Sequence, residues 1–170
     1  MRGTPGSRLI MHAPLGYPRE YVCERLARYG VVAERIEFSG RIPWQEYMHK
    51  FDRIDIALDP FPYGGGITTC DTLMMGVPVV SLSGRTSVGR GGRSILSNIG
   101  HPELIGFDPA EYVKIAVELA GDLPRLNELR GSLRSKMENS PVMNAPRFAR
   151  NVESAYRQMW RNWCAVGGNP

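Results

Sequence analysis

Cysteine is scarce in this chain of 170 residues, and the three present, Cys23, Cys70 and Cys164, lie far apart. No pair has metal-ligand spacing and three cannot all pair internally, so a disulfide framework and a zinc finger are excluded and reduced thiols follow. No cluster of metal ligands is visible. No apolar run approaches the roughly 20 residues that span a bilayer. The opening Met1-Arg2-Gly3-Thr4-Pro5-Gly6 lacks the apolar segment of a secretion signal. These absences predict a cytoplasmic protein that does not engage a membrane. The chain also has no G-x-G-x-x-G and no Gly-Lys-Ser/Thr, which excludes the dinucleotide fingerprint and the Walker loop.

What is present is a moderately basic, core-forming composition. The net charge is +4, and 42% of residues are hydrophobic, enough for one compact domain. Arginine is spread widely, and Arg85, Arg90 and Arg93 form the one close basic group away from the C-terminus. With no basic run and no RNA-binding aromatic signature, a nucleic-acid partner ranks last. A small phosphorylated ligand accounts for a local arginine group equally well.

Strand-like and helix-like segments alternate. Residues 7–13 read as a short buried strand, and 18–29 as a helix with Tyr21, Val22, Leu26 and Tyr29 on one face and Gly30 as its stop. Residues 35–39 form a second strand, and 44–51 a short helix entered through Pro43. Residues 54–58 (IDIAL) read as a third strand buried on both faces. After a glycine-rich loop and a helix ending near Gly76 come a strand at 77–82, a helix at 91–99 and a short edge strand at 103–105. Helices follow at 109–120 and from Asp122 to about 138, then a linker at 140–146. The last helix, 147–163, carries the stripe Phe148, Val152, Ala155, Tyr156, Met159 and Trp160, which is expected to pack into the core. Residues 167–170 look like a disordered tail. Alternating βα units imply an α/β fold, a Rossmann-like parallel sheet with helices on both faces and long C-terminal helices. In such a sheet ligands bind beyond the carboxyl ends of the strands.

At that edge lies Asp59-Pro60-Phe61-Pro62-Tyr63-Gly64-Gly65-Gly66-Ile67-Thr68-Thr69-Cys70-Asp71. Its glycines permit positive φ and close backbone approach, and Thr68 or Thr69 is placed to cap the next helix. The free N–H groups of that helix start suit a diphosphate held by Gly65, Gly66, Thr68 and Thr69. Asp71 has acceptor sites for two ribose hydroxyls. Read alone, the segment is equally a plain glycine turn before a capped helix. Asp59 is placed to bind the loop's own N–H groups. Arg90, in a loop leading to a helix at the same edge, can neutralise phosphate charge, whereas Arg85 and Arg93 read as solvated. His12 ends the first strand at the ligand edge, and His49 and His101 have no convincing partner.

The runs DIALDPFPYGGGITTCDTLMMGVPVVSLSG, ELIGFDPAEYVKIAVELAGDLPRLNELRGSLR and SPVMNAPRFARNVESAYRQMW closely resemble the C-terminal part of the O-GlcNAc transferase and SPINDLY family, glycosyltransferase family 41. The resemblance covers residues 35–164. It implies the C-terminal half of a two-domain GT-B glycosyltransferase, with residues 1–166 forming a nucleotide-sugar-binding domain truncated at its N-terminus. Thr68 and Thr69 then match the threonine pair on the donor diphosphate, Asp71 the acid on the ribose, and Ile42 a backbone contact to the base. Trp44 and Tyr47 fall where animal O-GlcNAc transferases have a lysine and a histidine, and Tyr47 is placed to stack on a base. Ile67 replaces a histidine of the animal enzymes, and the Thr69-to-Asp71 spacing is closer to SPINDLY.

The implied activity is transfer of GlcNAc from UDP-GlcNAc to Ser or Thr of proteins, without a cofactor or a metal. GDP-fucose as donor, or a non-catalytic interaction domain, are the alternatives. Acceptor recognition would fall to domains outside this stretch, including tetratricopeptide repeats. The isolated chain is therefore expected to be inactive.

Overall fold

The computed structural model describes residues 1–166, so the predicted tail at 167–170 lies outside the described residues. Strand β1 (Leu9–His12) and strand β2 (Ile36–Ser39) pair in parallel, Leu9 opposite Ile36 and His12 opposite Ser39, with helix α1 (Tyr17–Ala27) as their crossover. Pro18 starts α1, and Gly30 with φ 75° follows its end. Helix α2 (Trp44–His49) enters through Pro43 and leads by a 3₁₀ turn to strand β3 (Ala57–Leu58). Helix α3 (Gly66–Met74), strand β4 (Val79–Leu82), helix α4 (Gly91–Asn98) and strand β5 (Ile105–Gly106) complete a second parallel sheet in the order β3-β4-β5. The remaining helices are α5 (Pro109–Gly121), α6 (Leu123–Glu138) and α7 (Ala145–Ala165).

The parallel strands are thus divided between a two-stranded and a three-stranded sheet, where one continuous sheet was expected. The third strand is also shorter than predicted and is not buried on both faces. β3 is an edge strand, with Leu58 half exposed and Asp55 exposed. Its neighbour explains the truncation. Ala57 N donates to Pro78 O, but Pro78 has no N–H to return toward residues 54–56. The carbonyl of Ile54, just before β3, accepts from Arg130 Nη1 of α6 at 2.6 Å.

The strand buried on both faces is β4. Val79, Val80 and Ser81 are all at most 2% exposed, and consecutive strand residues point to opposite faces, so both faces are covered. Helices α3, α4 and α5 pack against it. Leu73, Leu96, Leu119, Leu133 and Met137 join it in one hydrophobic cluster. Two glycines permit that packing. A Cβ at Gly106 would lie 2.6 Å from Tyr112 N, and Gly76, at φ 77°, brings the end of α3 onto Arg130 O. The α5 face of Tyr112, Ile115, Ala116 and Leu119 packs inward as expected.

Two predicted faces do not pack. No residue of α1 is buried, and Tyr21 and Tyr29 are exposed. No residue of α7 is buried either, and Phe148, Tyr156, Met159 and Trp160 all exceed 60% exposure. The stripe is a true helical stripe, but among the described residues no apolar surface covers it.

Candidate functional site

The carboxyl ends of β3 and β4 each run into a loop and then a helix. Residues 59–65 lead into α3, and residues 83–90 lead into α4. The glycines between Tyr63 and Ile67 serve proximity rather than unusual backbone angles, since none of them has positive φ. A Cβ at Gly64 would lie 3.0 Å from Asp59 Oδ2, and one at Gly65 would meet the Thr68 and Thr69 hydroxyls. The helix begins earlier than the capping expectation allowed. Its N-cap is Gly65, with no side-chain cap, so Thr68 and Thr69 sit inside the first turn.

Asp59 organises this loop from below. Asp59 is 4% exposed, and its carboxylate accepts from Gly65 N at 2.8 Å, Thr69 Oγ1 at 3.2 Å and Ser81 Oγ at 2.8 Å. Its backbone is fixed as well, with N donating to Val80 O and O accepting from the Tyr112 hydroxyl at 3.1 Å. The expectation that Asp59 binds the loop's own amides holds at Gly65. Ser81 was not foreseen as a partner, because nothing in a strand written VVSL marks which face its serine takes.

The two expected threonines part company. Thr69 is buried, and its hydroxyl is shared inward between the Gly65 carbonyl and Asp59. Thr68 is exposed, next to exposed Gly66 and Ile67. The amides of Gly66, Ile67 and Thr68 open α3 with no intrahelical carbonyl to receive them. Thr68 and Asp71 stand three residues apart and therefore share a helix face.

Tyr47 comes to that face from α2. Burial raises its phenol above the usual range, and the negative charge of Asp71 adds to the rise, so the two side chains lie within electrostatic reach. Its ring contacts Trp44 at 5.6 Å and Phe51 edge-on at 5.2 Å. Ile42 is half-buried in the segment that delivers α2. Arg90 is exposed at the end of the second loop, its guanidinium donating to Arg85 O at 2.6 Å. That loop rests on the first, because a Cβ at Gly89 would lie 3.2 Å from Pro62 O, and it is closed on itself by Gly84 N donating to Gly89 O at 2.7 Å. Between the loops an apolar cleft is lined by Pro60, Phe61, Leu82 and Phe107, with Arg93 over the Phe107 ring at 5.4 Å.

Other candidates lie apart from this cluster. His12 lines a separate cleft at the ends of β1 and β2 with Arg19 and Arg41. His101, which showed no partner in sequence, is buried between Glu103, at 2.8 Å from Nδ1, and Lys136, at 2.9 Å from Nε2, and ties the segment between α4 and β5 to α6. His49 is exposed beside Asp52. All three cysteines are free.

Comparison with known proteins follows the same lines. The family model of Glycosyl transferase family 41 matches residues 11–152. A probable UDP-N-acetylglucosamine–peptide N-acetylglucosaminyltransferase SPINDLY from Arabidopsis thaliana is 38% identical over 95% of the chain, which spans 18% of that relative. The protein of the same name from Hordeum vulgare is 44% identical over the same shares. A solved O-GlcNAc transferase mutant from Thermobaculum terrenum superposes with TM-score 0.83 at 35% identity, covering 94% of this chain and 31% of its own. The chain therefore spans less than a fifth of the length of these curated relatives and about a third of the solved one.

Proposed function

The chain belongs to glycosyl transferase family 41, and on that premise we propose that it is the nucleotide-sugar-binding part of a protein O-glycosyltransferase. The donor is UDP-GlcNAc, and the acceptors are Ser or Thr hydroxyls of proteins. The names of the relatives support this choice of donor and acceptor class. The observation that carries the reading is the start of α3, where three amides without an intrahelical acceptor stand beside Thr68, with Asp71 on the same helix face and Tyr47 within electrostatic reach of it.

In this reading the amides of Gly66, Ile67 and Thr68, the Thr68 hydroxyl and Arg90 hold the diphosphate. They stabilise the negative charge that develops on it as the glycosidic bond breaks. Gly65 and Thr69 shape the cradle from inside. Asp71 accepts from the ribose hydroxyls, with Tyr47 and the backbone of Ile42 toward the base. Acceptor recognition would fall to further domains of the full-length protein, tetratricopeptide repeats among them. The 170-residue chain by itself binds nucleotide and does not transfer sugar. No helix among the described residues is long and apolar enough to cross a membrane, and the cytoplasm is the compartment we propose.

Titration calorimetry of the 170-residue chain with UDP and with GDP tests this. One of the two should bind, and the preferred one identifies the donor base, GDP pointing to a fucosyl donor. Thr68→Ala and Asp71→Ala should each weaken binding by about tenfold, the loss of a hydrogen bond to a charged group. Binding of neither nucleotide by a folded chain would instead favour a non-catalytic interaction domain.

A further inference from the structure

We propose that Asp59 is the positioning residue of the donor site. Its buried carboxylate sets the β3–α3 loop in register with the β4–α4 loop, so that the α3 amides and Arg90 face one diphosphate. This rests on the donor-site reading above and adds to it a residue that would never touch the ligand.

The geometry is specific. One carboxylate oxygen, Oδ1, receives Gly65 N and the Thr69 hydroxyl, both from the first loop and helix. The other, Oδ2, receives Ser81 Oγ, from the strand that feeds the second loop. Gly92, in the first turn of α4, packs against both groups, and a Cβ there would collide with Ser81 Oγ and Asp59 Oδ2. The first loop, β4 and the start of α4 therefore close on a single carboxylate.

That carboxylate has no cationic partner among the described residues, and it sits directly under the amides proposed to bind an anion. Its charge repels a diphosphate, whereas its hydrogen bonds orient the cradle. The two effects have opposite signs, so a substitution that removes the charge but keeps the shape separates them. Asn at position 59 retains one acceptor oxygen for Gly65 and Thr69 but presents an amide NH₂ toward Ser81, whose hydroxyl hydrogen then loses its acceptor. If orientation dominates, affinity falls. If charge dominates, affinity rises.

The test uses the 170-residue chain with diphosphate and nucleoside probes, UDP against uridine and GDP against guanosine, by calorimetry and competition. Asp59→Asn should weaken the bound nucleoside diphosphate about tenfold and leave its nucleoside unchanged, with folding followed by circular dichroism. Ser81→Ala, which removes one bond to the carboxylate, and Thr69→Val, which removes another together with the hydroxyl's contact to the Gly65 carbonyl, should reproduce the effect in smaller measure. They also decide the matter if Asp59→Asn fails to fold. In a double-mutant cycle Asp59→Asn and Thr69→Val should be non-additive for the diphosphate. Equal losses for diphosphate and nucleoside, unchanged affinity, or tighter diphosphate binding in Asp59→Asn would overturn the positioning role and leave the donor site standing. A folded wild-type chain that binds neither UDP nor GDP would overturn the donor-site reading, and this role with it.

Discussion

Tyr112 shows how a single side chain links the core to the site. It is 8% exposed, and its hydroxyl donates to the Asp59 carbonyl, so its proton has a fixed acceptor. Burial, followed by the nearby charge of Asp59, pushes its pKa up to about 12, against an ordinary value near 10. A raised folded-state pKa contributes stability that is fully present below the unfolded value and is lost as pH rises through the folded one. The fold should therefore lose on the order of 2 kcal/mol between about pH 10 and pH 12 through this group. Tyr112→Phe should lack that component. Urea unfolding of both proteins across the alkaline range measures the difference, and parallel curves would show that Tyr112 ionises freely. In the sequence, Tyr112 was legible as a core position from its helical spacing, and Asp59 as a loop-binding acid. Their contact across 53 residues was not, because periodicity says which face is apolar and nothing about which distant carbonyl lies beneath it.

At the scale of the element, helix boundaries in the second half followed from local chemistry. Asp108 and Asp122 each accept from the amide three residues on, at 2.8 Å and 3.1 Å, and proline stands in the first turn of both helices. Asp108 is the firmer cap, since Glu111 in the first turn also reaches back past it and accepts from Phe107 N at 2.7 Å. Asp108→Ala should cost about 1 kcal/mol in denaturant unfolding, whereas Asp108→Ser should cost only a few tenths. Equal losses for the two would show that the side-chain acceptor is not what matters. Where the observed elements differ from those expected, a partner outside the element is the cause. The strand expected at 54–58 shrank because Pro78 on the neighbouring strand cannot return a hydrogen bond. The threonines expected as caps fell inside α3 because Gly65, close to Asp59, begins the helix first.

The whole molecule divides into a well-packed half, centred on β4, and a periphery that presents apolar side chains to solvent. The amphipathic spacing of α7 is legible in the sequence from Phe148 to Trp160, yet the same spacing cannot say whether anything covers the stripe. A core helix and an uncovered one share the pattern, and only tertiary contacts distinguish them. Here Trp160 and Trp163 stack on one another at 5.4 Å and remain 63% and 51% exposed, while Trp44 on α2 is 62% exposed. All three tryptophans of the chain are therefore wet. The native emission maximum of the isolated chain should lie close to that of the urea-unfolded chain, while circular dichroism should follow a cooperative transition. Trp160→Ala should change unfolding free energy by less than about 0.5 kcal/mol, because a surface truncation opens no cavity. A strongly blue-shifted native emission, or a loss of several kcal/mol on truncation, would mean that the α7 stripe is covered in solution. The energetics of this fold would then include a surface that the packing around β4 does not supply.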